Sequence, residues 1–266
     1  MVTPRSALVV VTLAAAACAH GPRAGRTSDA GGDGVPEIVV VRYGGADLEV
    51  ADQVRRAVRV ALPIAERWGR LAATVTLTIH PTHEALEHAA HRTGYPWLRA
   101  WARAGSIEVQ SPRTWSRGYA TDDELAQLLT HELTHCVMYQ AVGGDPRLAQ
   151  GIPVWFREGM ATSTAGERFA VVHRATSRPE PPIARGALLY DSELVYATAD
   201  QAFRFLVRRF SPACVRQILS TMRAGLDFPD AFREVTGLGL ATFEQEFDSF
   251  QDQAVGTAVD LATTHG

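Results

Sequence analysis

"TDDELAQLLTHELTHCVMYQAVGG", residues 121–144, is the stretch on which the fold turns. Thr121 and Glu124 stand three apart in a capping-box pattern, and the glycines at 143 and 144 end what they begin, so a helix is expected through about Val142. On that helix His131 and His135 lie one turn apart on the same face, where both imidazoles can aim at one ion. Glu132 sits about 100° round the axis from His131, beside the two rings, placed to take a proton from a water. Two ligands are half a site. Zinc in a hydrolytic centre takes three protein ligands and keeps a fourth position for water. A third histidine six residues on is excluded, because Met138 and Ala141 occupy the positions that would need Gly and His. The other route is a carboxylate on a following helix. "IPVWFREGMATSTAG" (152–166) reads as that helix, with Pro153 near its start and Gly166 beyond its end, and it supplies Glu158. The Gly143–Pro146 turn lets it fold back antiparallel.

Upstream, "EIVVVRY" (37–43) and "ATVTLTIH" (73–80) read as strands, and a long amphipathic helix with Val54, Val58, Ala61, Leu62, Ala65 and Trp68 on one stripe lies between them. "PTHEALEHAAHRTG" (81–94) is a further helix. "GSIEVQSP" (105–112) alternates and stops at a proline, which suits an exposed edge strand. Downstream, from Ser192 to about Asp252, three or four helices are expected and no strand. The fold class is therefore α+β: an N-terminal mixed α/β lobe (36–142) with an edge strand next to the HExxH helix, then an α-helical lobe (143–254) carrying the third ligand, and a tail at 255–266.

"HELTH" followed by "PVWFREGMA" resembles the gluzincin metallopeptidases, specifically the peptidase MA-like group, whose pattern is HExxH followed by a Trp and an E-G-x-A helix. "RTGYPWLRAWARAGSIEVQSP" is similar to that family's tract before the active-site helix, and "VYATADQAFRFLVRRF" to its tyrosine-bearing helix. The resemblance spans about residues 36 to 252, with its specificity concentrated in the two zinc-ligand segments. It implies one zinc ion held by His131, His135 and Glu158, with Glu132 as general base. It also implies an extended peptide or protein substrate lying along Ser106, Ile107, Glu108, Val109 and Gln110. Tyr196 matches the family's oxyanion-donating tyrosine, with Tyr190 and His173 as further candidates. Where some gluzincins carry an Asp four residues after the ligand Glu, this chain has Thr162, which leaves the carboxylate partner of the histidines unassigned. A different class of function uses the same ligands: a non-catalytic zinc-binding envelope or assembly protein.

The rest of the chain bounds the setting. It has 266 residues, is 46% hydrophobic and carries a formal charge of −3, with no basic surplus of the kind nucleic-acid binding requires. Residues 1–18, "MVTPRSALVVVTLAAAAC", have an early Arg5, an apolar run and small residues before Cys18. That ending resembles the bacterial lipobox, although Ala15 stands where Leu is commonest. The expectation is export, lipidation of Cys18 and attachment to the envelope, the outer membrane being favoured because Ala19 rather than Asp follows; plain signal cleavage is the alternative. Membrane contact is expected only through that lipid. Residues 19–35 read as a flexible linker. Cys136 and Cys214 remain as an even pair in an oxidising compartment, open either to a disulfide or to two separately buried thiols. His80, His83, His88 and His91 form a second histidine group, read as a polar helix face rather than a metal site. Trp97, Trp101, Trp115 and Trp155 are read as core more than cleft.

Overall fold

The computed structural model describes residues 38–44, 48–115, 118–167 and 192–263, with side chains as far as 251. The signal and linker segments, Cys18, His173 and Tyr190 lie outside the described residues. Within them the chain is a mixed α/β protein, a small sheet with mostly helical surroundings. The strands are β1 (Val39–Arg42), β2 (Val75–His80), β3 (Ala100–Arg103) and β4 (Ser106–Gln110), in the order β1-β2-β4-β3. β1, β2 and β4 run parallel and β3 is antiparallel to β4.

β4 is thus an interior strand, paired on both sides, and the edge beside the motif helix is β3. This corrects the expectation for residues 106–110. Pro112 begins a single 3₁₀ turn two residues beyond the strand, so it does not prevent pairing within β4. β3 is hard to see in sequence because its buried positions are Ala100 and Ala102, a residue depleted in strands.

The alternation of β2 puts Val75, Leu77 and Ile79 on one face. Against it pack α1 (Leu48–Ala65) and α3 (Asp122–Ala141). Leu86 and Ala90 of α2 (His83–Ala90) form a smaller cluster with Leu98. α3 starts at the expected capping box, in which Thr121 and Glu124 each accept from the other's backbone N–H. From Leu129 to Met138 it is buried without a break, because the sheet and α1 cover one side and α5 (Val154–Ala165) and α6 (Ser192–Arg223) approach the other. Gln140 ties its last turn to two loops: Nε2 donates to the carbonyls of Ala73 and Ala104, and Oε1 accepts from Ala72 and Ala73.

A short helix, α4 (Pro146–Gly151), fills the turn before α5. α6, α7 (Phe228–Thr236) and α8 (Leu240–Thr263) complete the helical part, and α6 is broken at Ser211, φ 69°, ahead of Pro212. α8 runs on to Thr263, so residues assigned to a tail from 255 are helical as far as 263. One continuous core joins the sheet to the aromatic cluster of Trp155, Phe156, Phe203, Phe228 and Phe243. No described helix is long and apolar enough to cross a membrane.

Candidate metal centre

α3 and α5 bring three donor atoms to one point. His131 Nε2 and His135 Nε2 are 3.1 Å apart, and Glu158 Oε2 lies 3.5 Å from the first and 3.3 Å from the second. Donors bound tetrahedrally at about 2.0–2.1 Å from an ion stand about 3.3–3.5 Å from one another. All three side chains are buried. This is the one group of His, Cys, Asp and Glu among the described residues able to hold a metal ion.

The charges fit that use. Burial pushes the His131 imidazole down, but the carboxylates of Glu158 and Glu167 outweigh it and hold its pKa well above the ordinary value. Burial would raise Glu158, yet His135 and His131 pull it well below the usual carboxylate range. A cation at this point would replace those protons and answer the same negative charge.

His131 is oriented by a residue outside every motif. Its Nδ1 lies 2.7 Å from Glu167 Oε1. A carboxylate accepts and does not donate, so Nδ1 carries a proton and Nε2 is the nitrogen that faces the cluster and would give its lone pair to an ion. Glu167 follows Gly166, which caps α5 in the left-handed conformation at φ 66°. It supplies the partner that the sequence left unassigned at Thr162, whose hydroxyl instead donates to the Glu158 carbonyl. His135 Nδ1 is buried with no hydrogen-bond partner, and its ring stacks on Tyr139 at 10° between planes.

Glu132 stands beside the cluster with its carboxylate unbonded among the described residues. Burial raises its pKa despite the neighbouring histidines. Tyr196, on α6, packs its ring edge-on to His131 at 6.0 Å. Burial, helped by the surrounding carboxylates, drives its phenol above the ordinary range, so it stays a neutral O–H donor.

All of these groups line a cleft of about 1040 Å³. Its far wall is β3, not β4, from Ala100 to Arg103. Trp97, Trp101 and Trp115 line the cleft, whereas Trp155 is core. A ladder of rings, Tyr95, Trp97, Tyr196 and His131, leads from the surface to the three-donor cluster. Of the second histidine group, His80 pairs with Glu108 at 2.8 Å and His83 with Gln110 and Glu87. These are polar contacts within the sheet and between β4 and α2, and they engage Glu108 and Gln110, two of the residues expected to bind substrate. Cys136 and Cys214 are free, buried thiols. Cys136 instead donates to the Arg103 carbonyl at 3.1 Å, so the disulfide alternative is set aside.

Compared with known protein families and with curated proteins, the chain matches none.

Proposed function

We propose that this protein is a zinc-dependent peptidase of gluzincin type. The observation that carries the reading is the convergence of His131, His135 and Glu158 on one point with the Glu132 carboxylate, which no described residue hydrogen-bonds, beside it. Two imidazoles and a carboxylate with room left for a water are the donor set of hydrolytic zinc. When bound, zinc acidifies a water and polarises a carbonyl.

The chain's own residues do the rest. Glu132 takes the water's proton on its carboxylate and delivers it to the leaving amine, a role its raised affinity for a proton suits. Tyr196 O–H is a donor for the oxyanion that develops on the scissile carbonyl. An extended peptide enters the cleft and pairs with the open edge of β3, as strand addition requires. The buried walls exclude bulk water from the charges being handled. The signal segment adds an extracytoplasmic setting, with the enzyme tethered through lipid on Cys18.

The test is Glu132→Gln. Glu132 holds no ion in this scheme, so the variant should keep its metal and its fold while peptide cleavage falls by roughly 10²–10⁴-fold. Equal cleavage by the variant rules out Glu132 as the base, and no cleavage of a diverse peptide library by the metal-loaded wild type rules the peptidase out and leaves a zinc-binding envelope protein.

A further inference from the structure

The residue before the third ligand turns back over it. Arg157 Nε lies 3.1 Å from Glu158 Oε1, the oxygen that does not face the histidines. That is the one hydrogen bond of the Arg157 side chain among the described residues, although the side chain is only 20% exposed. Arg157 lines the cleft, and its two terminal nitrogens, with four N–H donors, have no acceptor among the described residues. The half-buried guanidinium is thus held in place by one carboxylate oxygen, with its remaining donors free to meet an acceptor that enters the cleft. Its planar fork matches a carboxylate in two parallel hydrogen bonds.

Among the described residues the other charges of the cleft do not supply that carboxylate. Glu158 and Glu167 face the histidines, Glu132 points into the reaction space, and Glu124 is held in the helix cap. On the opposite wall the charge is again positive. Arg92 lies over the Trp101 ring at 4.5 Å, and Arg103 bonds to the Ala89 and Ala90 carbonyls at the end of α2. With a divalent ion in place, the cleft carries more positive charge than negative.

We propose that Arg157 is a specificity-determining residue that binds a carboxylate of the substrate next to the scissile bond, so that the enzyme prefers acidic peptides. The proposal rests on the peptidase reading of the site. The carboxylate has two sources, an Asp or Glu side chain or the free C-terminus of a short peptide, and both present the same fork to Arg157.

The experiment uses the full chain, loaded with zinc, and four versions of one cleaved peptide: Glu or Gln flanking the scissile bond, each with a free or an amidated C-terminus. kcat/KM should be about 10–100-fold higher for versions with a carboxylate in reach, the worth of a charged hydrogen bond. Preference for Glu over Gln assigns a side-chain carboxylate; preference for the free over the amidated end assigns a C-terminal one. In Arg157→Gln and Arg157→Lys the ratio between carboxylate and neutral peptides should shrink, whatever happens to turnover itself. Arg157→Lys keeps a donor for Glu158 while removing the fork, so it separates recognition from support of the ligand. Cleavage indifferent to carboxylates, or a preference that survives both substitutions, overturns this proposal and leaves the peptidase standing. Cleavage of none of a diverse peptide set sinks the peptidase reading and this proposal with it.

Discussion

At the scale of single residues, the four groups at the heart of the site were legible and their supports were not. His131, Glu132 and His135 announce themselves by helical spacing, and Glu158 by a second helix whose ends are written in Pro153 and Gly166. Glu167 gives no such signal. It follows a helix cap in irregular chain, and only the fold brings it to His131 Nδ1. Arg157 and Tyr139 were equally silent, because a charged or aromatic helix residue has too many ordinary uses to be singled out. The role of Glu167 can be measured apart from catalysis. Glu167→Gln retains the shape but loses the charge that orients and enriches the imidazole, so zinc affinity measured against a chelator should fall about 10–100-fold. Unchanged affinity would mean that the 2.7 Å contact has no part in holding the ion.

At the scale of elements, helices with caps were read well and the sheet's edge was not. Thr121, Glu124 and Gly166 act locally, so their effect is visible in the order of residues. Which strand lies at an edge depends on partners far along the chain. β3 carries little strand signal because its core face is alanine, and the proline that suggests an edge for β4 lies two residues past its end, where it does not disturb the pairing. One close approach sets the relation of the ligand helix to its neighbour. At Gly159 a Cβ would lie 2.2 Å from the Ala199 carbonyl oxygen and 2.7 Å from Phe203 Cβ, so α5 and α6 cross with nothing between them. This crossing also fixes Tyr196 over His131. Gly159→Ala should therefore cost at least about 1–3 kcal/mol in denaturant unfolding. It should also weaken metal binding, since Glu158 is the preceding residue. Gly151→Ala, where an added Cβ meets nothing within 4 Å, is the control expected to leave the midpoint in place. Equal midpoints for the two variants would contradict a tight crossing.

At the scale of the whole molecule, the His131–His135–Glu158 cluster lies where the sheet-packed and the α6-packed helices meet. His131 and His135 come from a helix packed on the sheet, Glu158 from a helix packed on α6, and one core runs beneath them. An ion there joins elements that the core already holds together, so its loss should loosen the protein without unfolding it. Without the ion, Glu158 still has Arg157 and two imidazoles around it, so no bare charge is left inside. Binding to the folded state alone stabilises by about 2.7 kcal/mol at a hundredfold excess over Kd and about 4.1 kcal/mol at a thousandfold. For a chain of this size that is a rise in Tm of about 5–15 °C on adding zinc to stripped protein. The rise should grow with the logarithm of free zinc and should be strongly reduced in Glu158→Gln, which loses the charged ligand. The stripped protein should keep its helical circular dichroism at room temperature. A stripped protein already unfolded would show that the ion, rather than the shared core, holds α3 and α5 together; a Tm indifferent to zinc would remove the metal from this site altogether.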